Sequence, residues 1–131
     1  MCRADGSQDQ LSVTPSPTGL EAFVGCASTG FYPPEARRTI MGNMASVRIA
    51  TSYRCAAHEY RAFSAGHFHF LMYQKLMPWD HLAGCLIAEE AGAYVRRFDG
   101  SRYQPHHHDG GLLVASDEDG WNLLRRNVFT M

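Results

Sequence analysis

Residues 77–94, MPWDHLAGCLIAEEAGAY, place a single acidic side chain, Asp80, at the mouth of a helix rich in small and apolar residues. Pro78 cannot continue a preceding helix and drives Met77 toward an extended backbone, so Trp79 and Asp80 stand at a strand-to-helix junction. Beyond it Ala83, Ile87 and Ala91 follow one face with Leu82, Leu86 and Glu89 beside them, which predicts a short, apolar, buried helix. Gly84, with Ala83 and Ala88, lets that helix approach a neighbour closely, and Gly92 is placed to end it in a left-handed cap. A carboxylate at this point has two readings. It is an N-cap that accepts backbone N–H groups and offsets the macrodipole, or it is a metal ligand held rigidly at a cleft where strand C-termini gather. Spacing alone does not choose between them.

Working outward, residues 67–73 read as an aromatic-rich strand, and residues 55–65 as a helix with Ala56, Tyr60 and Phe63 on one side and Gly66 as terminator. Residues 46–54 alternate Val47, Ile49, Thr51 and Tyr53 with Arg48, Ala50 and Ser52, the period of a strand with one face more buried. A helix over 35–43 follows Pro34, and Ala22, Phe23 and Val24 begin a first strand. The polar, proline-containing residues 1–19 bury little and read as a flexible tail or linker remnant, which leaves 20–131 as one domain. Downstream, 94–98 resume extended structure, Asp99-Gly100 signals a tight turn, 105–111 form a loop and 112–115 a compact apolar strand. Ser116 with Asp119 resembles a capping box opening a last helix over 117–129, which buries Trp121, Leu124 and Val128. This alternation predicts a layered α/β sandwich with a mixed, largely parallel sheet.

A chain of 131 residues that is 45% hydrophobic is long enough for one modest domain with a core. Its net charge of −1 and lack of a long basic run give no field for nucleic acid or an acidic membrane, and no apolar run spans a bilayer. Cys2, Cys26, Cys55 and Cys85 are widely spread, as reduced thiols of a cytoplasmic protein would be, and no secretory signal precedes them. Cys85 lies in the apolar helix pattern and reads as core; Cys55, with His58 one turn on, is the better nucleophile, though no third partner can be named. His67 and His69 share a strand face and His106-His107-His108 form a tract, so Zn²⁺ is a rival ligand. Consecutive loop histidines cannot all point at one ion, however. His81, beside Asp80, reads as an exposed first-turn residue, with the orienting of a water or ligand as its alternative.

Trp79-Asp80, Ala83-Gly84, Leu86-Ile87 and Glu90-Ala91-Gly92 resemble the C-terminal signature of the inositol monophosphatase family, W-D-x-A-A-G-x-L-I-x-x-E-A-G-G, with departures at Leu82 and Ala93. Arg54-Cys55-Ala56-Ala57 and Ala65-Gly66 resemble the family's G-S-A-A segment and the A-x-G that closes the following helix. The resemblance covers residues 46–130 and implies the fold of the C-terminal half of the family's catalytic unit. It implies hydrolysis of a small phosphate monoester, an inositol phosphate or a related sugar or nucleotide phosphate, by Mg²⁺-activated water. Asp80 would be one metal ligand, and Arg54, Cys55, Ala56 and Tyr73 would line the substrate pocket. The family often places Glu seven residues before that Asp to hold a sugar hydroxyl, where this chain has Tyr73, and Arg54 has the fork geometry for phosphate. The family's upstream D-P-x-D-G-T motif and acidic pair have no counterpart here. A lone carboxylate holds Mg²⁺ poorly, so the chain alone is expected to be weakly active or inactive, completed by a missing N-terminal half or in a homo-oligomer. The alternative is a non-catalytic, phosphatase-like interaction module that associates through an exposed sheet or helix face, the aromatic-rich Phe68, Phe70, Met72 and Tyr73 in particular.

Overall fold

The computed structural model describes residues 4–130. Within them the strands are β1 (Val24–Ala27), β2 (Ile49–Thr51), β3 (Phe70–Tyr73), β4 (Tyr94–Arg97) and β5 (Leu112–Ala115), and the α-helices are α1 (Pro34–Asn43), α2 (Ala56–Ser64), α3 (Pro78–Glu90) and α4 (Glu118–Asn127). The sheet order is β2-β1-β3-β5-β4; β1 runs parallel to β2 and β3, while β5 runs antiparallel to β3 and β4. All strands except β5 therefore point the same way, which is the mixed, largely parallel sheet expected.

Strand alternation sorts the core into two layers. Phe70 and Met72 of β3 join Ile40 of α1 and Trp121 and Leu124 of α4 on one face; Leu71 and Tyr73 join Tyr60 and Phe63 of α2 and Cys85 and Ala88 of α3 on the other. A strand covered on both sides reads as a continuous apolar run. For that reason Phe68, Phe70, Met72 and Tyr73 are core, from 0% to 6% exposed, and do not form the docking face anticipated for them. At the sheet edge the outcome is reversed. The alternating pattern of 46–54 yields only the short β2, paired to β1 alone, with Ile49 and Tyr53 exposed.

α3 begins at Pro78, and Met77 before it is extended (ψ 131°). It ends as anticipated: Gly92 takes φ +105°, and its N–H and that of Ala93 donate to the Glu89 and Ala88 carbonyls, both at 3.0 Å, a Schellman arrangement. Its buried side chains are His81, Cys85 and Ala88, whereas Leu82, Leu86 and Ile87 are exposed, so the expectation of a wholly buried apolar helix fails. Close packing on α2 is the cause. A Cβ on Gly84 would lie 2.3 Å from the Tyr60 ring, so only the small-residue face fits against α2 and the larger apolar side chains turn outward.

α4 is capped by Asp117, which accepts from the Gly120 N–H at 2.8 Å, in place of the Ser116–Asp119 box; Ser116 is buried. Asp117 also accepts from Ser16 N–H at 3.0 Å. In the segment expected to be a flexible tail, Val13 N–H donates to Ala91 O at 3.1 Å and Thr14 Oγ1 to Gly66 O at 2.6 Å, so residues 13–16 lie along the ends of α2, α3 and α4. The first three residues of that segment, Cys2 among them, lie outside the described residues. No helix among those described is long and apolar enough to cross a membrane.

Candidate functional site

β1, β2 and β3 end along one edge of the sheet, and α2 and α3 start there. The loops that follow the three strands and the first turns of both helices enclose a cleft of about 870 Å³. A cleft at strand C-termini, facing helix N-termini, is where α/β sheets gather ligands. Asp80, Arg54, Cys55, Ala56 and Tyr73, residues named from three separate sequence segments, all line it.

Asp80 is the third residue of α3 and is exposed. Pro78 at the first helical position fixes Met77 as the N-cap, and no side chain caps the helix, so the capping reading of Asp80 does not hold. Among the described residues its carboxylate takes no hydrogen bond or ion pair.

Arg54 and Cys55 form the opposite lip. Arg54 is the sole non-glycine among the described residues with positive φ, at 54°, and its N–H donates to Ser52 Oγ at 3.1 Å. A left-handed backbone suits Gly, which explains the Gly in the family pattern and makes an arginine here a strained choice. Cys55 is the exposed, extended N-cap of α2, and Ala56 is its first residue.

Tyr73 closes the floor. It is 5% exposed and donates its hydroxyl to Glu59 Oε1 at 2.9 Å. Burial, then the neighbouring Glu59, pushes this phenol far above its ordinary range. Glu59, itself 4% exposed on α2, also accepts from Tyr53 N–H at 2.9 Å. His81 lies against Tyr73 (ring centroids 4.5 Å apart) and meets Tyr60 Oη through Nδ1 at 3.0 Å. It is 4% exposed, a correction to the exposed first-turn reading, because Trp79 and Leu82 occupy the outer face of that turn. Burial lowers its pKa, against the opposing pull of Asp80 and the Lys75 backbone. Glu59 and Lys75 are among the cleft residues that sequence reasoning missed. A signal for Glu59 existed: it stands four residues before the core-facing Phe63, on the same helical face.

The other chemistries do not assemble. Burial raises the Cys85 thiol to about 11, and burial followed by Glu59 raises Cys26 to about 12, so neither is a ready thiolate. His58 faces a separate hollow of about 290 Å³ with Tyr53 and His67, on the flank of α2 away from the cleft lining. His67 and His69 are not a strand pair, since β3 starts at Phe70; His69 Nδ1 instead accepts from Val24 N–H at 3.0 Å. Within the loop tract, His107 Nδ1 accepts from Gln104 N–H at 2.9 Å. Among the described residues no group of three His, Cys, Asp or Glu side chains is placed to hold a metal ion.

Comparison with known proteins agrees with this architecture. The model of the inositol monophosphatase family matches residues 6–127. The chloroplastic phosphatase IMPL1 of Arabidopsis thaliana is 42% identical over 52 residues, 40% of this chain and 14% of that protein. An inositol monophosphatase from Zymomonas mobilis superimposes with a TM-score of 0.78 at 18% identity, over 90% of this chain and 46% of its own. For the IMPase of Thermotoga maritima the TM-score is 0.74 at 21% identity, over 93% and 46%. The extragenic suppressor protein suhB of Bartonella henselae gives 0.74 at 21%, over 89% and 46%. At such identities these likenesses establish the fold, and the chain spans under half the length of each of these structures. With the family model covering nearly all of the sequence, and the sheet and helices arranged as in those relatives, the chain belongs to the inositol monophosphatase family.

Proposed function

We propose that this chain forms one side of a magnesium-dependent phosphomonoesterase site, with Asp80 as a metal ligand and Arg54, Cys55, Ala56 and Tyr73 along the substrate. The observation that carries this reading is Asp80 itself, an exposed carboxylate without a capping role that lines the 870 Å³ cleft. Its chemistry suits Mg²⁺, which takes hard oxygen ligands. The donor set is incomplete, because Glu59, the cleft's second carboxylate, is already engaged by Tyr73 and Tyr53. When bound, the ion would polarise phosphoryl oxygens and acidify an attacking water. The chain's own residues contribute less: Asp80 positions the ion, and the N-termini of α2 and α3 favour a phosphate beside it. The remaining ligands come from a further half of the fold or from another polypeptide.

The test is Mn²⁺ binding by water-proton relaxation, with Mn²⁺ standing in for Mg²⁺, alongside turnover of p-nitrophenyl phosphate in excess Mg²⁺. Weak binding lost in Asp80→Asn, with turnover near background, is expected. Equal binding by both proteins removes Asp80 from the metal site; fast, Asp80-dependent turnover overturns the incompleteness.

One observation favours a second reading, the interaction module. Trp79, Leu82, Leu86 and Ile87 are 80%, 39%, 60% and 44% exposed on α3, an apolar strip that starts beside Asp80. If it associates, sedimentation velocity should show concentration-dependent species that Leu86→Glu abolishes; a strict monomer counts against it.

A further inference from the structure

The hollow of about 290 Å³ on the flank of α2 shares no lining residue with the cleft. His58, Arg61 and Ala62 stand at i, i+3 and i+4 on one face of α2, with Ala65 a turn beyond Arg61. The two alanines leave a low apolar floor. Tyr53 walls it, its ring tilted against Phe68 with centroids 5.6 Å apart. Past the helix end Gly66 turns the chain back at φ +91°, and the His67 N–H donates to the Ala62 carbonyl at 3.0 Å, which holds His67 at the rim. Every polar side chain in this lining can donate a hydrogen bond, and none is a carboxylate. Arg61 carries a permanent positive charge, and an imidazole presents an N–H in either tautomer. Among the described residues neither imidazole nor the Tyr53 hydroxyl has a hydrogen-bond partner. A metal ion fits poorly, because zinc is held by at least three side chains, whereas two histidines are present and Arg61 repels a cation.

From this donor set we infer that the hollow binds a small aryl anion, its phosphate, phosphonate or carboxylate head hydrogen-bonded by His58 and His67 in the field of Arg61, and its ring laid against Tyr53 and the two alanines. Hydrogen bonds to an ionised acceptor are roughly twice as strong as neutral ones, so a lining of donors without a carboxylate favours an anion over a neutral ligand. The volume sits at the lower end of the range for ligand pockets, which begins at about 300 Å³, and calls for a small molecule. The inference does not depend on the phosphomonoesterase reading, since the hollow and the cleft have separate linings.

The test is a titration of the 131-residue chain with phenylphosphonate, whose carbon–phosphorus bond resists ester hydrolysis, in EDTA so that no metal draws the probe to Asp80. Imidazole ¹H–¹³C spectra follow the histidines one by one, and His58→Gln and His67→Gln identify two signals by removing them. Both residues are exposed, so the fold tolerates either change. Expected are saturable shifts of the His58 and His67 signals with one dissociation constant, and binding about fivefold weaker in each variant, read on the remaining signal. Methylphosphonate, which lacks the ring, should bind about fivefold more weakly than phenylphosphonate. Arg54→Gly, a change in the cleft, should leave the affinity as it is. Absence of a saturable shift at either histidine, an affinity that survives both Gln variants, equal binding of the two phosphonates, or binding lost in Arg54→Gly alone would each overturn the inference.

Discussion

Alanine at two helical glycines should shift stability in opposite directions. Gly42 in α1 has open space where a Cβ would go, while at Gly84 in α3 that point lies 2.3, 2.4 and 2.7 Å from three atoms of the Tyr60 ring. Helix propensity favours Ala over Gly by roughly 1 kcal/mol, so Gly42→Ala should gain about 0.5–1 kcal/mol. At Gly84 steric overlap opposes the same gain. Carbon atoms pack at about 3.5–4 Å, so ring or helix must retreat by more than about 1 Å. Tyr60 has nowhere to turn: it is 2% exposed, its hydroxyl meets His81 at 3.0 Å, and its ring stacks on Tyr73 at 5.4 Å. The helices must part instead. Overpacking costs up to about 3 kcal/mol, which leaves a net loss of about 2 kcal/mol after the propensity gain. Urea titrations of the three proteins, compared at matching slopes, measure both numbers. Because α2 and α3 carry the two lips of the cleft, the same variant should also weaken Mn²⁺ binding at Asp80. Gly84→Ala at least as stable as Gly42→Ala would refute the Gly84–Tyr60 contact and the helix orientation argued from it.

Three further outcomes follow from named contacts. Tyr73→Phe removes a donor from the buried Glu59 and should cost about 1.5–3 kcal/mol in urea unfolding, an effect absent if that hydrogen bond is not formed. Arg54→Gly should stabilise the fold by about 1 kcal/mol, because the left-handed residue loses its Cβ; a destabilised variant would mean that the strain is not there. Asp117→Ala should cost about 1 kcal/mol at neutral pH through loss of the α4 cap. Burial raises the Asp117 pKa, but hydrogen bonds from Gly120 and Ser16 outweigh it and leave the carboxyl below its ordinary 3.8. A lowered folded value means the contribution is complete above 3.8 and drains away as pH falls through the folded value, so the gap between wild type and Asp117→Ala should narrow in strong acid. A gap that widens there would contradict the sign.

Much of the fold was legible because local chemistry dictates it. Pro78 and Gly92 fix the two ends of α3 whatever surrounds it, and Trp121, Leu124 and Val128 mark the inner face of the last helix by period alone. What stayed hidden depends on partners distant in sequence. Val47, Ile49, Thr51 and Tyr53 alternate as a half-buried strand does, yet β2 lies at the edge with one neighbour, and nothing local reveals an edge. Residues 13–16 look too polar to pack, but they are held through backbone hydrogen bonds and small side chains, which hydropathy does not register.

The candidate site divides along the same line. Asp80 was legible because a proline two residues earlier sets the start of the helix, and the position of a first-turn carboxylate then follows from 3.6-residue geometry. His81 was not. α3 is apolar on every side, with Cys85 and Ala88 on one face and Leu82, Leu86 and Ile87 on another, so hydrophobic period carries no information about which face turns inward. Steric fit settles the matter. The helix can pass Tyr60 only at Gly84, and that rotation puts His81 and Cys85 inside, Trp79 and Leu86 outside, and Asp80 at the cleft. A glycine that looks like a weak point in the helix thus sets the direction of the Asp80 carboxylate, and a larger residue there would misdirect Asp80 without touching it.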